Sequence, residues 1–247
     1  MLILILILLI KIIELMSMII QRINFIGTVA CMTFFLFVCS IAEGQSRGGR
    51  GAMAGSTDEP LFEGIENETL IPMLRHLPRT YGGMNVPAAD GRFLYDLILE
   101  RGYTRGLEIG TSNGYSGLWI GLALKQNGGG LVTIEIDPRA ADEARGNFQK
   151  AGLEDVIEVM VSDALEGIPK VPGRFDFVFI DAHKPEYYDY LQLVRHRVEK
   201  GGAITAHNVT GRDRTMANFV EAIMSDPGLK TEIFSRHTIS VSIVSDE

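Results

Sequence analysis

From residue 61 to residue 244 the chain alternates short β-rich apolar runs with segments of helical spacing. Few folds accept that pattern. The β-type runs are 105–109, 131–136, 156–161, 175–180, 203–206, 230–234 and 239–244. The helical spacing predicts helices over 61–77, 87–101, 115–126, 185–199 and 212–225, and one that opens at Pro138 and stops before Gly152. In 87–101, Phe93, Leu94, Leu97 and Ile98 share one stripe. After Pro138, Ala141, Ala144, Phe148 and Ala151 do the same. Gly201-Gly202 reads as the end of the 185–199 helix. Such alternation implies an α/β fold, a mostly parallel sheet with helices on both faces. Right-handed crossovers then collect the loops that follow the strands along one edge, where ligands of such sheets bind. The residues to weigh are therefore 108–117, 135–137, 162–164, 181–184 and 207–209.

The first 60 residues stand apart. Residues 1–42 hold 32 hydrophobic side chains and only three charges, Lys11, Glu14 and Arg22. Arg22 precedes an uncharged run over 23–42, and Ser40 and Ala42 suit a signal peptidase cut before Glu43. The expectation is a signal peptide or membrane anchor over 1–42, a flexible linker over 43–60 and one domain over 61–247. The protein would then be exported (periplasmic or secreted) or anchored. It would be cytoplasmic if the leader is a mis-assigned start; translation from Met16 or Met18 would leave a short n-region with Arg22. Any membrane contact would run through the N-terminal segment alone. Both cysteines, Cys31 and Cys39, fall in the leader, so the domain has no disulfide framework, thiolate metal site or cysteine nucleophile. The net charge of −8 argues against a nucleic-acid partner, which needs a basic surface. A homodimer stays open.

Glu108-Ile-Gly-Thr-Ser-Asn-Gly-Tyr-Ser-Gly117 is the strongest local signal. Gly110 and Gly114 permit a sharp strand-to-helix turn and close approach of a ligand. The spacing differs from the G-x-G-x-x-G of dinucleotide binders, which disfavours an NAD-dependent oxidoreductase. A carboxylate at 108 suits a cationic ligand rather than a pyrophosphate. The plainer reading is a tight turn that needs glycine for geometry alone. Glu135 ends the second strand, where a carboxylate accepts ribose hydroxyls, although alone it reads as a solvated strand-end acid. Asp163-Ala164 follows the third strand, near an adenine edge, or Asp163 caps a short helix. Asp181, His183, Lys184, His207 and Asn208 follow the fourth and fifth strands. Asp181, His207 and Asn208 can converge on a cation, with Lys184 beside it as a general base. The alternative is that Asp181 caps the next helix and Lys184 is a surface lysine.

Together these residues resemble the cation-dependent class I S-adenosylmethionine O-methyltransferases, the catechol and caffeoyl-CoA O-methyltransferase family. The likeness covers about 61–247. It implies a Rossmann-like fold with seven strands, the last antiparallel. It also implies methyl transfer from S-adenosylmethionine to a hydroxyl of a small phenolic or catechol-like molecule. Met84-Asn-Val86 resembles the segment that covers the donor's methionine part. Glu108, Gly110, Thr111 and Ser116 match residues at the donor's amino-acid end, Glu135 the ribose acid and Ala164 the adenine contact. Asp181 matches a metal ligand that also lies near the donor, and Lys184 the catalytic lysine. Ala206-His207-Asn208-Val resembles the Ala-Asp-Asn-Val that completes the metal site. His207 is the departure. Asp181, His207 and Asn208 suit Mn²⁺ or another nitrogen-tolerant ion better than Mg²⁺, and an aspartate at 207 would restore an all-oxygen set. Two alternatives stand beside this: a metal-independent methyltransferase with His207 or His183 as base, and an exported, non-catalytic binding protein of the same fold.

Overall fold

The computed structural model describes residues 59–245, apart from 66, 68, 78–84, 211–213, 235 and 237. The expectations for the leader over 1–42, for the linker up to residue 58 and for Met84 lie outside the described residues.

Seven strands form one sheet in the order β3-β2-β1-β4-β5-β7-β6. They are β1 (Arg105–Ile109), β2 (Gly130–Glu135), β3 (Ile157–Val161), β4 (Phe175–Ile180), β5 (Val198–Ala206), β6 (Leu229–Phe234) and β7 (Ile239–Val244). β7 runs antiparallel to both of its neighbours, and the other paired strands are parallel. The sheet reverses its order between β1 and β4. That places the ends of β1, β2, β4 and β5 around one crevice.

The helices are α1 (Leu70–His76), α2 (Ala88–Arg101), α3 (Tyr115–Gln126), α4 (Pro138–Lys150), the single turn α5 (Ala164–Gly167), α6 (Tyr187–Val194) and α7 (Ala217–Ser225). One face of the sheet packs α1 to α4 through Leu74, Leu94, Trp119 and Phe148 against Phe177 and Phe179. The other packs α6 and α7 through Tyr187, Leu191, Phe219 and Ile223 against Val178 and Ile180. β4 is covered on both sides, which is why FDFVFI reads as continuous apolar sequence with one charge. That charge works at the strand's start: Asp176 accepts from the backbone of Thr104 and Arg105 and ties β4 to β1. Among the described residues no helix is long and apolar enough to cross a membrane.

Three helix expectations change, that over 212–225 becoming a 3-10 turn at Arg214–Met216 followed by α7. The helix over 61–77 is broken: a 3-10 turn at Glu59–Phe62 is followed by α1 only from Leu70, where Asn67 Oδ1 accepts from the backbone of Thr69 and Leu70. The helix over 185–199 opens as a 3-10 turn at Lys184–Glu186 and stops at Val194. β5 begins at Val198 and takes in Gly201-Gly202 as an irregular excursion, with register lost between Phe175 and Phe177 of β4. Gly201 sits at φ 77, and its carbonyl accepts from Tyr103 Oη.

α2 and α3 meet closely. A Cβ at Gly91 would stand 2.4 Å from Trp119 Cδ1 and Nε1, and Trp119 is fully buried. Gly91→Ala is therefore expected to lower the unfolding free energy by about 1–3 kcal/mol through overpacking. Urea denaturation at constant pH measures it.

Candidate active site

The turn from β1 into α3 is stitched by a buried chain of hydroxyls that ends on a carboxylate. Glu108 is fully enclosed. Ser116 Oγ donates to Glu108 Oε1 at 2.6 Å, and Thr133 Oγ1 donates to Oε2 at 2.6 Å. Thr133 has then used its hydrogen, so Thr111 Oγ1 donates to Thr133 Oγ1 at 2.5 Å. Glu108, Thr111 and Ser116 are buried and tied into this hydrogen-bond chain, outside the residues that line the cleft. Burial raises the Glu108 carboxyl to about 7. The two hydroxyls oppose that shift, and the charges of Asp181 and Glu135 add to it. An acid raised in the folded state contributes stability that is complete below its ordinary value of 4.5 and is lost as pH rises through about 7. Glu108→Gln keeps the hydroxyl partners without the charge. Its urea midpoint is expected to fall less than that of the wild type between pH 5 and pH 8.

Above this turn lies a cleft of about 490 Å³. Gly110, Ser112, Glu135, Ala164, Asp181 and Glu186 line it, with Ile136 and Tyr190 as apolar walls. Glu135 is oriented from both sides. Its Oε2 accepts from Ser112 N at 2.7 Å and its Oε1 from Asp137 N at 2.9 Å. Each oxygen keeps a lone pair for a ligand hydroxyl. Ser112 reaches this position at φ 51, and its buried Oγ has no hydrogen-bond partner. Its place inside the glycine motif was the only sequence signal for it. Asp163 caps α5 through Leu165 N, as its plainer reading expects, and also lines the cleft.

Gly110 joins this cleft to the end of β4. It stands at φ 99, and a Cβ there would meet the Asp181 carbonyl oxygen at 2.3 Å. Asp181 does not cap a helix. Its Oδ1 is 3.6 Å from Lys184 Nζ, and its Oδ2 is 3.4 Å from His207 Nδ1. Lys184 also lies over the Tyr187 ring. His207 is buried, and its Nε2 is 2.9 Å from Asp90 Oδ2 on α2. Burial alone would lower the imidazole, but Asp181 and Asp90 outweigh it and raise the group to about 9. A ring held this way is a poor proton acceptor near neutral pH, which weakens the reading of His207 as the base. His183, on the cleft's edge, is mostly exposed and 3.4 Å from Glu186.

Asp181 and His207 come together, and Asn208 follows His207 in the chain. Among the described residues no three His, Cys, Asp or Glu side chains form a group that could hold a metal ion, and Asn208 stands at φ 61. The buried Nδ1 of His207 makes no hydrogen bond; 3.4 Å from Asp181 is an ion-pair distance. One nitrogen and two oxygens fit a nitrogen-tolerant divalent cation better than Mg²⁺. Val86 is buried ahead of α2 and does not line the cleft.

A family model described as O-methyltransferase matches residues 63–223. The chain is 34% identical over 151 residues to the catechol O-methyltransferase of Niastella koreensis, an alignment covering 59% of this chain and 68% of that protein. It is 39% identical over 125 residues to the catechol O-methyltransferase of Mycobacterium tuberculosis, covering 50% of this chain and 56% of the relative. The chain thus spans little more than half the length of that relative. The crystal structure of the O-methyltransferase from Bacillus cereus in complex with SAH superposes with a TM-score of 0.64 at 27% identity, over 76% of this chain and 96% of that one. The model covers well over half of the sequence, and the seven-stranded sheet and its crevice agree with it: the chain belongs to the O-methyltransferase family, class I and S-adenosylmethionine-dependent.

Proposed function

We propose that the protein moves the methyl group of S-adenosylmethionine to a hydroxyl oxygen of a small phenolic, catechol-like molecule. The observation that carries the reading is Glu135, fixed by two backbone N–H groups at the mouth of the cleft with both oxygens still able to accept. The names of the Niastella and Mycobacterium relatives support the acceptor class.

The cleft divides the work. Glu135 receives the ribose hydroxyls, and the turn around Ala164 faces the adenine. Gly110 and Ser112 give the donor's amino-acid end a close backbone surface. Asp181 lies between this cleft and Lys184, so it connects donor and acceptor sides. The reaction is an in-line displacement. The acceptor oxygen bonds to the methyl carbon while the carbon–sulfur bond breaks and its electron pair returns to sulfur. The hydroxyl proton is assigned to Lys184 Nζ, which accepts it in its neutral amine form. The main task of the site is alignment of oxygen, carbon and sulfur. Asp181, His207 Nδ1 and Asn208 are the residues that would hold a divalent cation. Its chemistry there would be to stabilise negative charge on the acceptor oxygen.

Glu135→Ala tests the donor site. Loss of charge-assisted hydrogen bonds is expected to weaken S-adenosylhomocysteine binding by about 1.5–3 kcal/mol, roughly 10- to 150-fold. Isothermal calorimetry measures it, and unchanged affinity contradicts the assignment of the cleft. For residues 1–42 we propose export, on Arg22 and the apolar run after it. Cell fractionation with N-terminal sequencing is expected to find the product outside the cytoplasm. A cytoplasmic chain still starting at Met1, Met16 or Met18 contradicts it.

A further inference from the structure

The sequence motifs leave Asp90 unassigned, and the structure gives it a place in the site. Asp90 lies in the first turn of α2, buried at 3% exposure and 117 positions from the histidine it meets. Its Oδ2 is 2.9 Å from His207 Nε2. A carboxylate accepts, so Nε2 carries the hydrogen and the lone pair of the neutral ring falls on Nδ1. Nδ1 is the nitrogen that faces Asp181 and makes no hydrogen bond.

We infer that Asp90 is a positioning residue for methyl transfer: its hydrogen bond to Nε2 fixes the His207 imidazole with Nδ1 turned to Asp181. The inference rests on the methyltransferase reading of the site. Both ends of the contact are rigid. The backbone of His207 is fastened by its N–H to the Ile180 carbonyl, at the end of β4. Asp90 cannot slide along its helix, because the next residue, Gly91, is pressed against Trp119. Between two fixed anchors the ring has its orientation decided by the one hydrogen bond it makes. Metal-ligating histidines are held in this way, with the second nitrogen donating to a carboxylate.

The pairing also bears on which residue position 207 can carry. An aspartate at 207 would put a second carboxylate against Asp90 in a buried setting, a costly arrangement of like charges. Histidine offers Asp90 a donor. Residues 90 and 207 therefore form one unit built from two different elements.

The test uses the full chain. Long-range ¹H–¹⁵N spectra of histidine side chains, with His207 assigned by its loss in His207→Gln, report which ring nitrogen is protonated. Recorded above pH 9, where the ring is neutral, Asp90→Ala is expected to shift both His207 nitrogen signals toward tautomer averaging while the other histidines stay put. Turnover of catechol with labelled S-adenosylmethionine is expected to fall on the order of 10²-fold in Asp90→Ala, since misplacement of about 1 Å costs that much. Affinity for S-adenosylhomocysteine is expected to stay within about twofold. Asp90→Ala/His207→Ala is expected to be no slower than His207→Ala, because the two act as a unit. Unmoved His207 signals in Asp90→Ala, or losses that multiply in the double variant, overturn the proposal. If alanine prevents folding, Asp90→Asn keeps the shape and is read the same way: displaced His207 signals support the role and unmoved ones overturn it. A wild type that methylates no phenol contradicts the proposed function instead, and the spectra still decide the part played by Asp90.

Discussion

Lys184→Ala is expected to lower methyl transfer by roughly 10²- to 10⁴-fold, the range for loss of a positioned proton acceptor. Lys184 stands at the start of a 3-10 turn just after β4, with Nζ 3.6 Å from Asp181 Oδ1. It is partly exposed and absent from the hydrophobic cores, so its removal spares the fold. The cleft walls proposed to take the donor are Gly110, Ser112, Glu135 and Ala164, and Lys184 does not line the cleft. The loss is therefore expected in kcat, with S-adenosylhomocysteine affinity nearly unchanged. Steady-state kinetics paired with calorimetry separates the two. A fall in donor affinity equal to the fall in turnover would make Lys184 a binding residue rather than the proton acceptor.

Gly110→Ala is expected to be the most damaging single change to the fold of the site. The backbone there sits at φ 99, outside the range that L side chains adopt comfortably. The added Cβ would meet backbone, the Asp181 carbonyl oxygen at 2.3 Å and its carbon at 2.8 Å, and backbone cannot swing aside as a side-chain tip does. Strain at the dihedral and overpacking each cost about 1–3 kcal/mol. Together a loss on the order of 3 kcal/mol or more is expected in urea unfolding. Donor binding should fail with it, because the turns after β1 and β4 must separate and both line the cleft. A variant of wild-type stability and affinity would contradict the close contact of these turns.

The sequence and the structure part where side-chain direction matters. β1, β4, β7 and α3 have the ends that periodicity and glycine spacing predict, because each is bounded by strong signals such as Gly110, Gly114 and Gly128. β5 was half hidden. Val198 continues the apolar spacing of α6, and only the pairing of Val198 with Phe175 makes it strand. All seven strands were legible as local apolar runs, whereas the antiparallel last strand was legible through family resemblance. Within the glycine motif the sequence names Glu108 but cannot say on which side of the turn its carboxylate falls. The structure turns it inward to Ser116 and Thr133. Asp163 was legible in both its roles, since capping and facing the cleft need the same place on the chain. Asp90 was not legible at all. A polar residue in the first turn of a helix is ordinary, and its partner is 117 residues away.

The central claim is that this cleft delivers a methyl group to a phenolic hydroxyl. Incubation of the full chain with methyl-labelled S-adenosylmethionine and a panel of catechols and simple phenols, with and without Mn²⁺, tests it most directly. The account predicts a labelled methyl ether of at least one catechol in the wild type, and its loss in Lys184→Ala. Tight binding of S-adenosylhomocysteine with no label in any phenol under any of these conditions would contradict it.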